Sequence, residues 1–303
     1  MKFGAMIYQS TGTMSAVEFA RIAEQCGCDS VWLGEHTHRP VTDDERALLK
    51  QGKLHNHAFM QDPWVTLGAI AASTTNLTLG TAVTLLTHRD PIILAKEVAT
   101  LDNLSGGRVI LGVGFGHPRE PYRTEMMNHG TKPSERFDVV RERVLAMREM
   151  WTMEEAEFHG RYVNFDPIWL FPTPIQSGGP PVLLGSSGGS TRETWEKRLS
   201  WMLEYCDGWL PGSTEPHLAD RIHELQSAAR RSGRSAYEVT IHWSEARGTL
   251  GPLDESAVEQ FESIGVNRII RHFTPIPSGS QFYSREAVLA SFKEYEKLLR
   301  KLV

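Results

Sequence analysis

Residues 77–113 read LTLGTAVTLLTHRDPIILAKEVATLDNLSGGRVILGV. The first four, Leu77-Thr78-Leu79-Gly80, make a short strand. Asp90-Pro91 then opens a helix, Asp as the N-cap and Pro in the first turn, where a missing amide costs nothing. Leu94, Val98, Leu101 and Leu104 recur at helical spacing, and Ser105-Gly106-Gly107 ends the helix. Residues 108–113 return as a second apolar strand. Strand, helix, strand is the unit from which parallel sheets are built.

The same alternation extends in both directions. Residues 3–8, 30–34, 182–184, 207–210, 239–243 and 266–271 read as further strands. Phe19, Ile22, Ala23 and Cys26 mark a helix after the first, and Asp62-Pro63 repeats the helix-opening device. Helices are expected near 134–151, over about 191–205, and at the C-terminus with Val288, Phe292, Tyr295, Leu299 and Leu302 on one face. Eight strands, each followed by a helix, predict a (β/α)8 TIM barrel occupying 1–303 as a single domain. Loop excursions are expected near 36–61, 155–181 and 272–283, covering the C-terminal mouth. A doubly wound open sheet is the alternative, but it needs a glycine-rich dinucleotide turn after the first strand. That place holds Gln9-Ser10-Thr11-Gly12-Thr13, and Gly112-x-Gly114-x-Gly116 follows the fourth strand instead.

Composition narrows the function. A net charge of −5 with both signs interspersed offers no basic nucleic-acid surface and no polybasic membrane patch. No run approaches the ~18 apolar residues of a membrane span, and the N-terminus reads as a strand, so a cytoplasmic protein with a small-molecule substrate is expected. Three cysteines, Cys26, Cys28 and Cys206, exclude a disulfide framework and read as small packed residues.

In a barrel the chemistry sits just beyond the C-terminal ends of the strands. Those places hold Glu35-His36-Thr37-His38, Thr81-Ala82-Val83-Thr84, Phe115-Gly116-His117, Gly185 to Thr191, Pro211-Gly212, and Arg271-His272. The segment Gly185-Ser186-Ser187-Gly188-Gly189-Ser190-Thr191 reads equally as an anion-binding turn at a helix N-terminus and as a solvated helix cap. His36-x-His38, with His55 and His57 behind it, raises a metal-dependent hydrolase. In the amidohydrolase pattern, however, that motif follows the first strand and an Asp follows the last, whereas here Arg271-His272 stands there. No metal is expected.

The segments Trp32-Leu33-Gly34-Glu35-His36-Thr37-His38, 90–102 from Asp90 to Asp102, Leu104-Ser105-Gly106-Gly107-Arg108, Asn128-His129-Gly130, Glu157-Phe158-His159-Gly160, Pro172-Thr173-Pro174-Ile175-Gln176 and Asp207-Gly208-Trp209-Leu210-Pro211 resemble the luciferase-like superfamily. The likeness is greatest to actinobacterial coenzyme-F420-dependent oxidoreductases and covers nearly the whole chain. It implies hydride transfer between coenzyme F420 and an organic substrate, with FMN-dependent monooxygenation as the alternative. A cis peptide at Ala82-Val83 is implied, backing the cofactor ring. His36 is implied to stand near the reactive ring carbon as a proton donor or acceptor, unless it is a structural histidine. Gly114, Gly116, Gly185, Ser186, Ser187 and Thr191 are expected to hold the cofactor, and His38, Trp169 and His272 to line the substrate pocket.

Three departures from the family pattern inform the choice. Pro40 stands where some deazaflavin members have tryptophan, and His117 where they have a glutamate, which makes His117 a second candidate acid or base. Gly114-Phe115 replaces the Cys-Arg with which bacterial luciferases hold the flavin phosphate, which favours deazaflavin over FMN. Many members are dimers, so a homodimer is an option; a barrel without catalytic activity is the remaining alternative.

Overall fold

The structure is a computed structural model, and it describes residues 1–11, 14–186, 191–234, 237–244, 252–273 and 284–302. Its first strand, β1 (Lys2–Ile7), is buried along nearly its whole length, as a parallel strand covered on both faces must be. It pairs in parallel with β2 (Ser30–Leu33) on one side and β11 (Arg268–His272) on the other. The sheet continues through β3 (Thr78–Thr81), β5 (Val109–Gly114), β8 (Val182–Ser186), β9 (Gly208–Pro211) and β10 (Glu238–Trp243), all parallel, and closes on itself. A two-residue strand, β4 (Thr84–Leu85), lies beside β5. Every expected strand is present, its ends displaced by a residue or two.

Helices α1 (Ala16–Gln25), α3 (Pro63–Ala71), α4 (Pro91–Ser105), α6 (Arg136–Thr152), α7 (Arg192–Tyr205), α8 (Leu218–Arg231), α9 (Glu255–Ser263) and α10 (Arg285–Leu302) form the outer ring. The capping devices act as the sequence predicts. Asp62 accepts from the amides of Trp64 and Val65, Asp90 from those of Ile92 and Ile93, and Gly106 takes the left-handed conformation at φ 70° that ends α4. No helix among the described residues is long and apolar enough to cross a membrane.

Strand alternation sorts the core into two sets. Met6, Trp32, Ile110, Leu183, Leu210 and Ile270 fill the barrel, while the intervening residues pack under the helices. Trp32 takes the space that a neighbouring side chain would need, since a Cβ on Gly80 would lie 2.2 Å from its ring. At the N-terminal end, Arg268 is 1% exposed and bridges Asp29 at 3.1 Å and Glu238 at 2.7 Å.

The loop excursions divide between the two ends. Residues 36–61 follow a strand, stand at the mouth and contain α2 (Asp43–Lys50), which Thr42 caps. Helix α5 (Tyr122–Asn128) also stands there, after β5. The excursion at 155–181 does not. It forms an antiparallel hairpin of β6 (Ala156–His159) and β7 (Asn164–Ile168) against α6, with Glu142 accepting the amides of Arg161, Tyr162 and Val163. The chain then crosses to the N-terminal end, where buried Asp102 accepts from the amides of Ile175 and Gln176 and from the Gln176 side chain. The reason is topological: a segment that follows a helix and precedes a strand begins at the face opposite the mouth. Trp169, placed by the sequence in the substrate pocket, is 69% exposed on this outer wall. Residues 274–283, most of the third excursion, lie outside the described residues.

Candidate functional site

The strand ends and their loops enclose a cavity of about 560 Å³ at the mouth of the barrel. Its floor is the Ala82-Val83 segment, whose peptide is cis. Val83 lies between two strand-end glycines. A Cβ on Gly114 would stand 2.3 Å from one Val83 methyl, and a Cβ on Gly185 would stand 2.4 Å from the other. Both strands therefore end without side chains so that this stiff, β-branched residue can cross the mouth. Beneath it, Glu35 accepts from the Leu85 amide at 2.7 Å and from Arg89 at 2.6 Å. Arg89 also pairs with Asp62 and Glu97. Burial pushes the Glu35 carboxyl above the usual range, against the opposing pull of Arg89 and the Leu85 amide.

His36 lines one side of the cavity. Its Nδ1 lies 2.8 Å from Oε2 of Glu125, a residue of α5 whose side chain is almost fully buried. The other carboxylate oxygen accepts from the Thr37 amide at 2.8 Å. Burial opposes ionisation of Glu125, but the hydrogen bond and charge of His36, the nearby His88 and the Thr37 amide together hold it below its usual range. The His36 ring stacks on His57 with centroids 4.2 Å apart, and His57 meets Tyr8 edge-on. Burial, with smaller contributions from His36 and His55, pushes His57 down to about 2, and burial outweighs Glu125 at His88, which falls to about 3. Both rings are neutral near pH 7.

His117 lines the cavity too, with a different ring orientation. Its Nδ1 accepts from the Arg119 amide at 3.2 Å. Burial, Arg119 and Arg136 lower its basicity, so the neutral ring carries its proton on Nε2 and presents a donor.

The stretch of lining beside His117 is cationic and aromatic. Thr194, Arg198 and Trp201 face the cavity from one stripe of α7, and Arg136 and Phe137 from the first turn of α6. Trp201 stacks on Phe137, and the Arg136 guanidinium lies 4.0 Å from the centre of the Phe137 ring. Gly116 and Ser186 line the cavity as well. The Ser186 hydroxyl oxygen accepts from Trp209 Nε1 at 2.9 Å, which leaves its proton free for a ligand. Thr191 caps α7 one turn beyond the lining Thr194, and Ser187 lies outside the described residues.

Two expected pocket residues stand elsewhere. The chain leaves the β conformation after Leu33, so His36 and His38 do not share a face. His38 turns to Asn128, Thr37 and His129 and does not line the cavity. His272 lies behind the lining, edge-on to Tyr8 and 3.3 Å from His242, which does line it. Sequence reasoning missed Glu125, Arg136 and Arg198. Thr194, Arg198 and Trp201 carry a signal, three polar or amphipathic residues at i, i+4 and i+7; Glu125 carries none, because its partner is 89 positions away.

Comparison with known proteins gives the family and the fold. An uncharacterized protein of Mycobacterium tuberculosis is 37% identical over 237 residues, 77% of this chain and 80% of that one. The F420-dependent glucose-6-phosphate dehydrogenase of Amycolatopsis mediterranei is 30% identical over 253 residues, 77% of this chain and 70% of that one. Among solved structures, an F420-dependent secondary alcohol dehydrogenase in complex with an F420-acetone adduct superposes with a TM-score of 0.73 at 20% identity, over 98% of this chain and 97% of that one. The family model described as luciferase-like monooxygenase matches residues 1–301, and the chain belongs to that family of oxidoreductases.

Proposed function

We propose that this protein is a coenzyme-F420-dependent oxidoreductase that transfers hydride between the deazaflavin and an organic substrate. One observation carries the reading. A single cavity has a floor free of polar side chains at Val83, an imidazole held by a buried carboxylate, and two arginines. Such a cavity fits a flat ring with an anionic tail. Ala82, Val83, Gly114, Gly116 and Gly185 would form the ring slot. Ser186, Thr191, Thr194, Arg136 and Arg198 would face the phosphate. The bound deazaflavin would supply the hydride chemistry. The protein's part is to orient, to exclude water and to move a proton. His36, with Nδ1 committed to Glu125, offers Nε2 as the acceptor; His117, with Nδ1 committed to the Arg119 amide, offers Nε2–H as the donor.

The FMN-dependent monooxygenase reading has one observation in its favour. Arg136 and Arg198 supply, from α6 and α7, the cations that Phe115 does not. The two readings separate in one experiment. The apoprotein is titrated with F420 and with FMN, side by side at fixed salt, by fluorescence quenching. We expect F420 to bind at least tenfold more tightly, about 1.4 kcal/mol. Equal or tighter binding of FMN overturns the F420 reading.

A further inference from the structure

We propose that Glu125 is the positioning residue of His36: its buried carboxylate fixes the imidazole in the Nδ1–H tautomer and so makes Nε2 the proton-accepting atom. The inference rests on the oxidoreductase reading for its consequence, though not for its geometry. The two carboxylate oxygens have distinct tasks. A peptide N–H can only donate, so the Thr37 amide at 2.8 Å commits Oε1 as an acceptor. Oε2 faces His36 Nδ1 at 2.8 Å. An ionised carboxylate has no proton to give, so the proton in that bond belongs to the ring, and the other ring nitrogen is left with its lone pair. A buried carboxylate on Nδ1 also stabilises the imidazolium that forms when Nε2 takes a proton.

Among the described residues, no neighbouring group competes with His36 for Oε2 of Glu125. His57 stacks on the His36 ring from the 55–59 turn and Tyr122 lies beside it from α5; behind them His55 packs against His57 and the Arg39 guanidinium lies over Tyr122; His88 approaches Glu125 from the 86–88 turn. Burial keeps His57 and His88 neutral, and His88 Nδ1 is 3.7 Å from the carboxylate, beyond hydrogen-bond distance. Arg39 is engaged by Glu45 at 2.6 Å.

The geometry makes Glu125→Gln a sharp perturbation. The Thr37 amide still demands an acceptor, so the amide oxygen of glutamine stays there and its NH2 turns to His36. A donor at Nδ1 forces the proton onto Nε2. The substitution thus reverses the tautomer instead of merely weakening a bond. Glu125→Asp keeps the acceptor chemistry at a shorter reach.

The test begins with the unmutated apoprotein. Nitrogen-15 NMR of the His36 ring, with pH raised until its signals stop moving, should show Nδ1 protonated and Nε2 bare; the opposite pattern overturns the proposal without any variant. Glu125→Gln should exchange the two signals. With F420 and an active substrate, it should slow single-turnover hydride transfer about 10²–10⁴-fold, leave F420 affinity within a few-fold, and be partly rescued by Glu125→Asp. If His36→Ala slows transfer and Glu125→Gln changes neither tautomer nor rate, the positioning role is refuted. If His36→Ala keeps the full rate, it is the proton-transfer reading of His36 that fails, and the NMR result still decides what Glu125 does. Should Glu125→Gln fail to fold, the unmutated spectrum and the aspartate variant decide the matter.

Discussion

Acidification should destabilise this protein well above the pH at which carboxylates titrate, because His57 and His88 are held neutral by burial. Their basicity falls from an ordinary 6.5 to about 2 and about 3. Between those values the unfolded chain binds protons that the folded chain refuses, so the folded state loses ground as pH falls through about 6.5. At about pH 5.5 an ordinary histidine is protonated roughly ten to one, a cost of about 1.4 kcal/mol for each. Two such residues cost about 3 kcal/mol between about pH 7.5 and about pH 5.5, and the figure is insensitive to how far below 5 the folded values lie. His55 and His129, also lowered by burial, add to the loss, while Glu35 and Glu97, raised by burial, act against it. Variants isolate the histidines. Urea unfolding of the apoprotein, His57→Phe and His88→Phe at both pH values should show each variant losing about 1.4 kcal/mol of the pH dependence, with unchanged m. Parallel pH dependence in all three proteins would refute the reasoning.

Three further outcomes test the description of the mouth and its surroundings. Gly114→Ala drives a methyl against Val83 and should weaken cofactor binding about tenfold or more; Val83→Ala in the same background should restore most of it, which a double-mutant cycle of binding titrations measures. Trp169→Ala should change kcat/KM less than about twofold, since the ring stands on the outer wall, whereas Asp102→Ala should lower unfolding free energy by about 1–3 kcal/mol while sparing activity per folded molecule.

The barrel was legible because its signals are local. Asp62-Pro63, Asp90-Pro91 and Ser105-Gly106-Gly107 punctuate the chain within a few residues, and a buried parallel strand is a short apolar run wherever it occurs. His36, Gly116, His117, Gly185 and Ser186, which line the cavity, were picked out by a rule about strand ends that needs only the strands; Gly114 came with the family resemblance. The failures share a different cause. His38 was placed in the pocket beside His36, although the strand has already ended at Leu33. Trp169 was placed at the mouth with the excursion that carries it, although its place after α6 puts the excursion's origin at the other end. Glu125 and Arg198 act across elements distant in sequence, and α2, rich in charge, carries no apolar stripe to announce it. Phe115 leaves no arginine where bacterial luciferases have one, and the arginines that do line the cavity, Arg136 and Arg198, come from α6 and α7, beyond the reach of a rule about strand ends.

Arg89 faces three carboxylates, Glu35 from the end of β2, Asp62 at the start of α3 and Glu97 on α4. One guanidinium thus fastens two neighbouring βα units to each other, and Glu35 passes the restraint on to the Leu85 amide, two residues beyond Val83. The segment that crosses the mouth is anchored from the outer ring, so a change at the start of α3 or on α4 is felt at the cavity without touching its lining.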